Sequence, residues 1–117
     1  MAVIQEELEK ADVLVVSTPL YWSMVPSELK AVIDRVYQYD PTHGGKHLAI
    51  REAVLLACGE TENEKDFDMV KNFFRGFAEF NGMCVKHMLA VPKVNQKGDI
   101  EGNLSLKEAE NIGKSLS

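Results

Sequence analysis

Two periods of hydrophobicity alternate along this chain. Ile4, Leu8 and Ala11 recur at helical spacing, with Glu6, Glu7, Glu9 and Lys10 on the other side, so residues 3 to 11 are expected to form an amphipathic helix. Asp12 then leads into Val13, Leu14, Val15 and Val16, an unbroken apolar run that fits a strand buried on both faces of a parallel sheet. Ser17 to Val25 is a polar and aromatic loop. After it Pro26 suits the first position of a helix whose apolar stripe is Leu29, Val32, Ile33, Val36 and Tyr37. Residues 40 to 45, Asp-Pro-Thr-His-Gly-Gly, read as a turn.

The same alternation repeats. Ala53 to Ala57 is a second buried strand, closed by Cys58 and Gly59 and followed by the acidic loop Glu60 to Glu64. Phe67, Val70, Phe73, Phe74, Phe77 and Ala78 make a strong helical stripe that Asn81 and Gly82 should terminate. Met83 to Val91 holds a third strand, interrupted by Lys86 and His87 in a way that suits a sheet edge. Residues 93 to 103 are loop. Ser105 with Glu108 forms a capping box ahead of a last helix with the stripe Ala109, Ile112, Gly113 and Leu116. The order α-β-α-β-α-β-α implies an α/β fold, a parallel sheet with right-handed crossovers and helices on both faces. Only three strands are visible, which is few for a doubly wound sheet.

Composition narrows this picture. A chain of 117 residues with 45% hydrophobic and 26% charged content is one ordinary globular domain. Its net charge of -5 argues against nucleic acid and anionic membrane as partners. The acidic first residues do not read as a signal peptide, and no run reaches the roughly 20 apolar residues that span a bilayer, so a cytoplasmic location is expected. Cys58 and Cys84 are the only cysteines, and buried thiols are the expectation. On adjacent parallel strands they would stand on the order of 15 Å apart, beyond disulfide reach. His43, His47 and His87 lack metal-ligand spacing. Ser17 and Thr18 stand where a phosphoacceptor domain would carry a carboxylate.

The stretch STPLYWSMVPSELKAVIDR resembles the third strand, ligand loop and following helix of the flavodoxin-like NADPH-dependent FMN reductases. The likeness continues through AVLLACGE and the terminal helix, covering essentially the whole chain. It implies a three-layer flavodoxin-like parallel sheet, incomplete here, with three of the family's five strands. Val13 to Thr18, Ala53 to Cys58 and Val85 to Val91 resemble the third, fourth and fifth. Residues 1–117 then form a single domain that is amino-terminally truncated relative to the family, without its phosphate-cradling loop.

The resemblance implies FMN as cofactor, NADPH or NADH as electron donor, and a homodimer. Thr18, Pro19, Leu20, Tyr21, Trp22 and Ser23 would form one side of a flavin slot, with Tyr21 or Trp22 as its wall. Cys58, Gly59, Glu60 and Thr61 would close the other, Gly59 permitting close backbone approach. No side chain need act as acid or base, because hydride transfer belongs to the cofactor. Tyr21 and Trp22 would equally suit a helix or subunit contact. Losing three or four charge-assisted bonds to a phosphate would cost ~6 kcal/mol, roughly ten-thousand-fold in affinity, so weak FMN binding is expected of this chain. A strand at 13 to 16 with no neighbour in front would present an unprotected apolar edge. A homo-oligomer or a partner chain is expected there, and a non-catalytic assembly module is the alternative to an enzyme.

Overall fold

A computed structural model describes residues 2–40 and 47–116. Most of the turn expected at 40 to 45, His43 included, lies outside them. Three parallel strands, β1 (Val13–Pro19), β2 (Glu52–Cys58) and β3 (Cys84–Val91), form one sheet in the order β1-β2-β3. The helices are α1 (Ala2–Lys10), α2 (Ser27–Arg35), α3 (Asp68–Phe80) and α4 (Leu104–Ser115).

Strand register explains where the core sits. On one sheet face Leu14, Val16 and Thr18 stand beside Ala53, Leu55 and Ala57, and these beside Val85, Met88 and Ala90. Leu8 of α1, Ile33 of α2, Val36 behind it, and Val70, Phe74 and Ala78 of α3 close over this face in one cluster. Each large side chain taken out of water here contributes about 1.5–3 kcal/mol. The other face carries Leu56, Cys58, Leu89 and Val91 under Ser105, Leu106 and Ala109 of α4. Three helices therefore cover one face and a single helix the other.

This asymmetry corrects the expectation that β1 is buried on both faces. Val15 points away from the core cluster and is 47% exposed, because among the described residues no helix lies over that side of β1. The thiols differ from expectation too. Both cysteines are free, Cys58 half-buried and Cys84 exposed. They stand at opposite ends of the β2–β3 ladder, Cys84 beside Glu52 and Cys58 beside Val91. The link from Ser115 of α4 to His87, at 3.3 Å, lies short of the Cys84 row, so the helix leaves that thiol uncovered.

Helix ends differ in detail. Pro26 is the N-cap of α2 rather than its first residue. Beyond Arg35 the chain tightens into a 3-10 turn at Val36–Tyr39, which rotates Tyr37 outward and buries Tyr39, whose hydroxyl donates to Glu9 at 2.9 Å. The cap of α4 is Asn103, whose side chain accepts from the Ser105 amide at 2.8 Å, so Ser105 lies inside the helix and the expected Ser105–Glu108 box does not form. Of the expected α4 stripe only Ile112 is buried. Gly82, at φ 73°, closes α3 with Met83 N–H donating to Ala78 O at 2.8 Å, as the sequence foretold. In β3 the ladder skips Lys86, so this edge strand carries a bulge, and Lys86 pairs with Glu52 at 3.2 Å.

Candidate functional site

The carboxyl ends of the three strands meet in a set of loops tied to one another by backbone. Leu20 N–H donates to Cys58 O at 2.8 Å, extending the β1–β2 ladder one step past Pro19. Gly59 N–H donates to Val91 O at 3.1 Å, Val94 N–H to Gly59 O at 2.8 Å and Lys93 N–H to Thr61 O at 2.9 Å. Between them lies an open cleft of about 370 Å³ lined by Pro19, Leu20, Tyr21, Cys58, Gly59, Glu60, Val94 and Asn95.

The loop after β1 folds back on itself. Tyr21 and Met24 exchange amide hydrogen bonds at 2.8 and 2.9 Å, leaving Trp22 and Ser23 at the tip with φ of 50° and 67°. Such a two-residue turn demands positive φ at both central positions and ordinarily selects Asn or Gly. Here it holds a tryptophan that is 99% exposed, next to a tyrosine that is 58% exposed. Lys93, at φ 62°, lies in the loop after β3. These are the non-glycine residues with positive φ among the described residues, and all three lie within two residues of Tyr21 or Val94, which line the cleft. Each costs of order 1–3 kcal/mol, and strain of this kind persists where a site requires it.

The structure brings together six of the ten residues expected at the site, Pro19, Leu20, Tyr21, Cys58, Gly59 and Glu60, as lining of one cleft. The other four stand differently. Thr18 faces the core beside Ala57, is 3% exposed and donates its hydroxyl to Pro19 O at 2.8 Å. Thr61 donates its hydroxyl to the Asp66 carboxylate and accepts from the Asn63 amide at 3.2 Å. Both hydroxyls are thus occupied internally. Trp22 and Ser23 overhang from the turn. At Gly59 the close approach is made by the protein itself: a Cβ there would meet the Leu20 Cβ at 3.0 Å and the Phe67 ring at 3.6 Å. Sequence reasoning missed Val94 and Asn95, which follow a strand whose end was identified. Their signal was that Pro92 to Asn95 occupies the same strand-end position as the two loops that were chosen.

The cleft is suited to one kind of ligand end. Its lining is apolar apart from Glu60, Asn95 and backbone, and among the described residues no basic side chain lines it. The amides of Trp22, Ser23 and Glu60 have no acceptor among the described residues. Asp99 fastens the outer loop by accepting from the Asn95 and Gln96 amides at 3.0 and 2.8 Å, and these bonds hold its carboxyl below the ordinary range. A flat, uncharged ring with polar edges matches this arrangement, whereas a phosphate finds no cation.

Comparison with known proteins agrees with the architecture. A family model described as a flavodoxin-like fold matches residues 1–114. Similar curated proteins are an FMN-dependent NADH:quinone oxidoreductase of Thiobacillus denitrificans, 32% identical over 80% of this chain and 49% of its own length, and FMN-dependent NADH:quinone oxidoreductase 1 of a Jannaschia species, 35% identical over 66% and 44%. The chain thus spans about half the length of the curated relatives it matches. Among solved structures, the Trp repressor binding protein of Bacillus subtilis superposes with a TM-score of 0.83 at 24% identity, over 99% of this chain and 77% of that one. General stress protein 14 of Treponema denticola, solved in complex with FMN, gives 0.76 at 20% identity, over 99% and 72%.

Proposed function

The chain belongs to the flavodoxin-like fold family, and we propose that it supplies the ring-binding part of an FMN-dependent NAD(P)H oxidoreductase of the flavin or quinone reductase type. The observation that carries this reading is the meeting of the three strand-end loops, the first strained at Trp22 and Ser23 and the third at Lys93, around one cleft that no basic side chain lines among the described residues. The names of the curated relatives, both FMN-dependent, support it. Pro19, Leu20 and Tyr21 would pack against the flavin ring from one side, with Trp22 overhanging it, and the Gly59–Glu60 backbone would meet its polar edge from the other. The flavin supplies hydride acceptance and donation when bound. The chain's own residues orient the ring and shield one side of it from water, and none is required to move a proton.

The cleft fits the ring and not the phosphate, so affinity for FMN is low in the isolated chain. Quenching of FMN fluorescence should report a dissociation constant of at least tens of micromolar, consistent with the loss of several charge-assisted bonds, each of order 1.5–3 kcal/mol. Submicromolar binding would refute the weak-anchor reading. A second reading, an assembly module that acts with another chain, is favoured by the uncovered side of β1. It predicts no quenching by the isolated chain even at millimolar FMN.

A further inference from the structure

In the loop after β2 the backbone is fixed on both sides of one residue whose side chain is left unused. Gly59 is buried, donates its N–H to Val91 O and accepts from Val94 N–H, while Thr61 O accepts from Lys93 N–H. The Thr61 hydroxyl is tied to the Asp66 carboxylate and the Asn63 amide. Between these two pinned positions stands Glu60, which is exposed and lines the cleft. Its carboxylate makes no hydrogen bond or ion pair among the described residues. Other acids nearby hold the loops together: Asp66 receives Thr61, and Asp99 receives the Asn95 and Gln96 amides. Glu62 and Glu64 do not line the cleft. The loop therefore delivers one negative charge to the cleft and gives it no partner there.

We propose that Glu60 sets the charge of the flat ring this cleft accepts, so that cationic rings are preferred to neutral ones and neutral rings to anionic ones. This preference presupposes the ring-binding cleft proposed above and adds the class of ligand that it takes. Glu60 is the only acidic side chain in the lining, and among the described residues no basic side chain joins it. Lys93, on the loop after β3, lends its amide to Thr61 and lies outside the lining. At about 370 Å³ the cleft is near the lower end for small-molecule sites. Any charge on a ring system held in it therefore stays within the roughly 8 Å over which physiological salt leaves an exposed charge effective. An electron acceptor reaches a flavin held here through the same open cleft, so Glu60 acts on the acceptor as well. Uncharged quinones and cationic heterocycles are then the favoured acceptors, and sulfonated or carboxylated rings the disfavoured ones.

The test uses the 117-residue chain with Trp22, its only tryptophan, as the reporter, because this residue adjoins Tyr21 of the lining. The probes are three anthraquinones alike except for one substituent, which is trimethylammoniomethyl, hydroxymethyl or sulfonate. Each should quench Trp22 saturably with an unchanged lifetime. Dissociation constants should rise about threefold from the cation to the neutral compound and about threefold again to the sulfonate, the size of one exposed charge pair per step. Glu60→Gln should bring the three constants together, and Glu60→Lys should reverse their order, with circular dichroism confirming that both variants fold. In the unaltered chain ~1 M salt, which screens charges beyond about 3 Å, should erase the order without any substitution. Glu62→Gln should preserve it. Equal constants in the unaltered chain, an order that survives Glu60→Gln or high salt, or an order lost equally in Glu62→Gln would overturn the role of Glu60 and leave the ring-binding cleft standing. Absence of saturable quenching by all three probes would overturn the ring-binding reading itself, and the charge preference with it.

Discussion

Trp22 and Val15 both leave apolar surface in water, and they do so in opposite ways. Trp22 sits on a turn whose backbone is strained and pinned by paired amide bonds, with polar backbone groups around it. Val15 sits in relaxed, regular strand geometry, and among the described residues its strand pairs on one side only, with β2. Strain fixes a few groups in one arrangement, which suits a small rigid ligand. Regular structure with an open edge offers repeat spacing, which suits pairing with a further strand. Exposure alone does not distinguish the two surfaces; backbone geometry does.

The largest expected effect comes from removing the support of the strained end. Phe67 is fully buried, and its ring lies against Gly59 between the core and the cleft. Phe67→Ala should cost about 4 kcal/mol in urea unfolding, the usual range for an excised core aromatic. A loss below about 2 kcal/mol would mean that the strand-end loops do not depend on this ring. A smaller effect of opposite sign is expected at the turn. Trp22→Asn combined with Ser23→Gly supplies residues that accept positive φ, so the double variant should gain about 1–2 kcal/mol of stability while losing FMN quenching. If stability does not rise, the turn is not a store of strain and the contrast with β1 fails.

Much of the fold was legible because period and punctuation agree in this chain. The Phe67-to-Ala78 stripe and the Gly82 stop marked α3, and the apolar runs marked three strands. What was not legible depends on packing between elements. Nothing in Val13 to Val16 indicates that one side stays uncovered, because four consecutive apolar residues read alike whether a helix lies over them or not. The rotation of Tyr37 outward arises from a 3-10 turn that period alone does not signal, since apolar residues at both Val36 and Tyr37 satisfy a helical stripe. At the site, residue identity pointed to the loops but not to the direction of their side chains. Thr18 differs from its neighbours only in falling on the core side of the strand alternation. Val94 and Asn95 join the cleft through the amide bonds of Val94 to Gly59 and of Lys93 to Thr61, which no motif announces.

The two regions should also part company with pH, at opposite ends of the scale. Asp99 holds the outer wall of the cleft through the Gln96 and Asn95 amides, and those bonds lower its pKa below 3.8. A depressed carboxyl contributes stability that is present above its unfolded pKa and lost as pH falls through the folded one. Acid below about pH 3.8 should therefore loosen residues 95 to 99 while α1 stays in place. Tyr39 shows the reverse. Burial first, then the hydrogen bond to Glu9 and its negative charge, raise the phenol above 10.0, against a smaller lowering by Gln5. A raised pKa gives stability present below the unfolded value and lost as pH rises through the folded one, so alkali above pH 10 releases the Tyr39–Glu9 tie and loosens α1. Backbone NMR spectra across both limits should show the Asn95 and Gln96 amides moving only in acid and the α1 amides only in alkali. Loss of both sets in a single transition at either limit would show that edge and cleft form one cooperative unit.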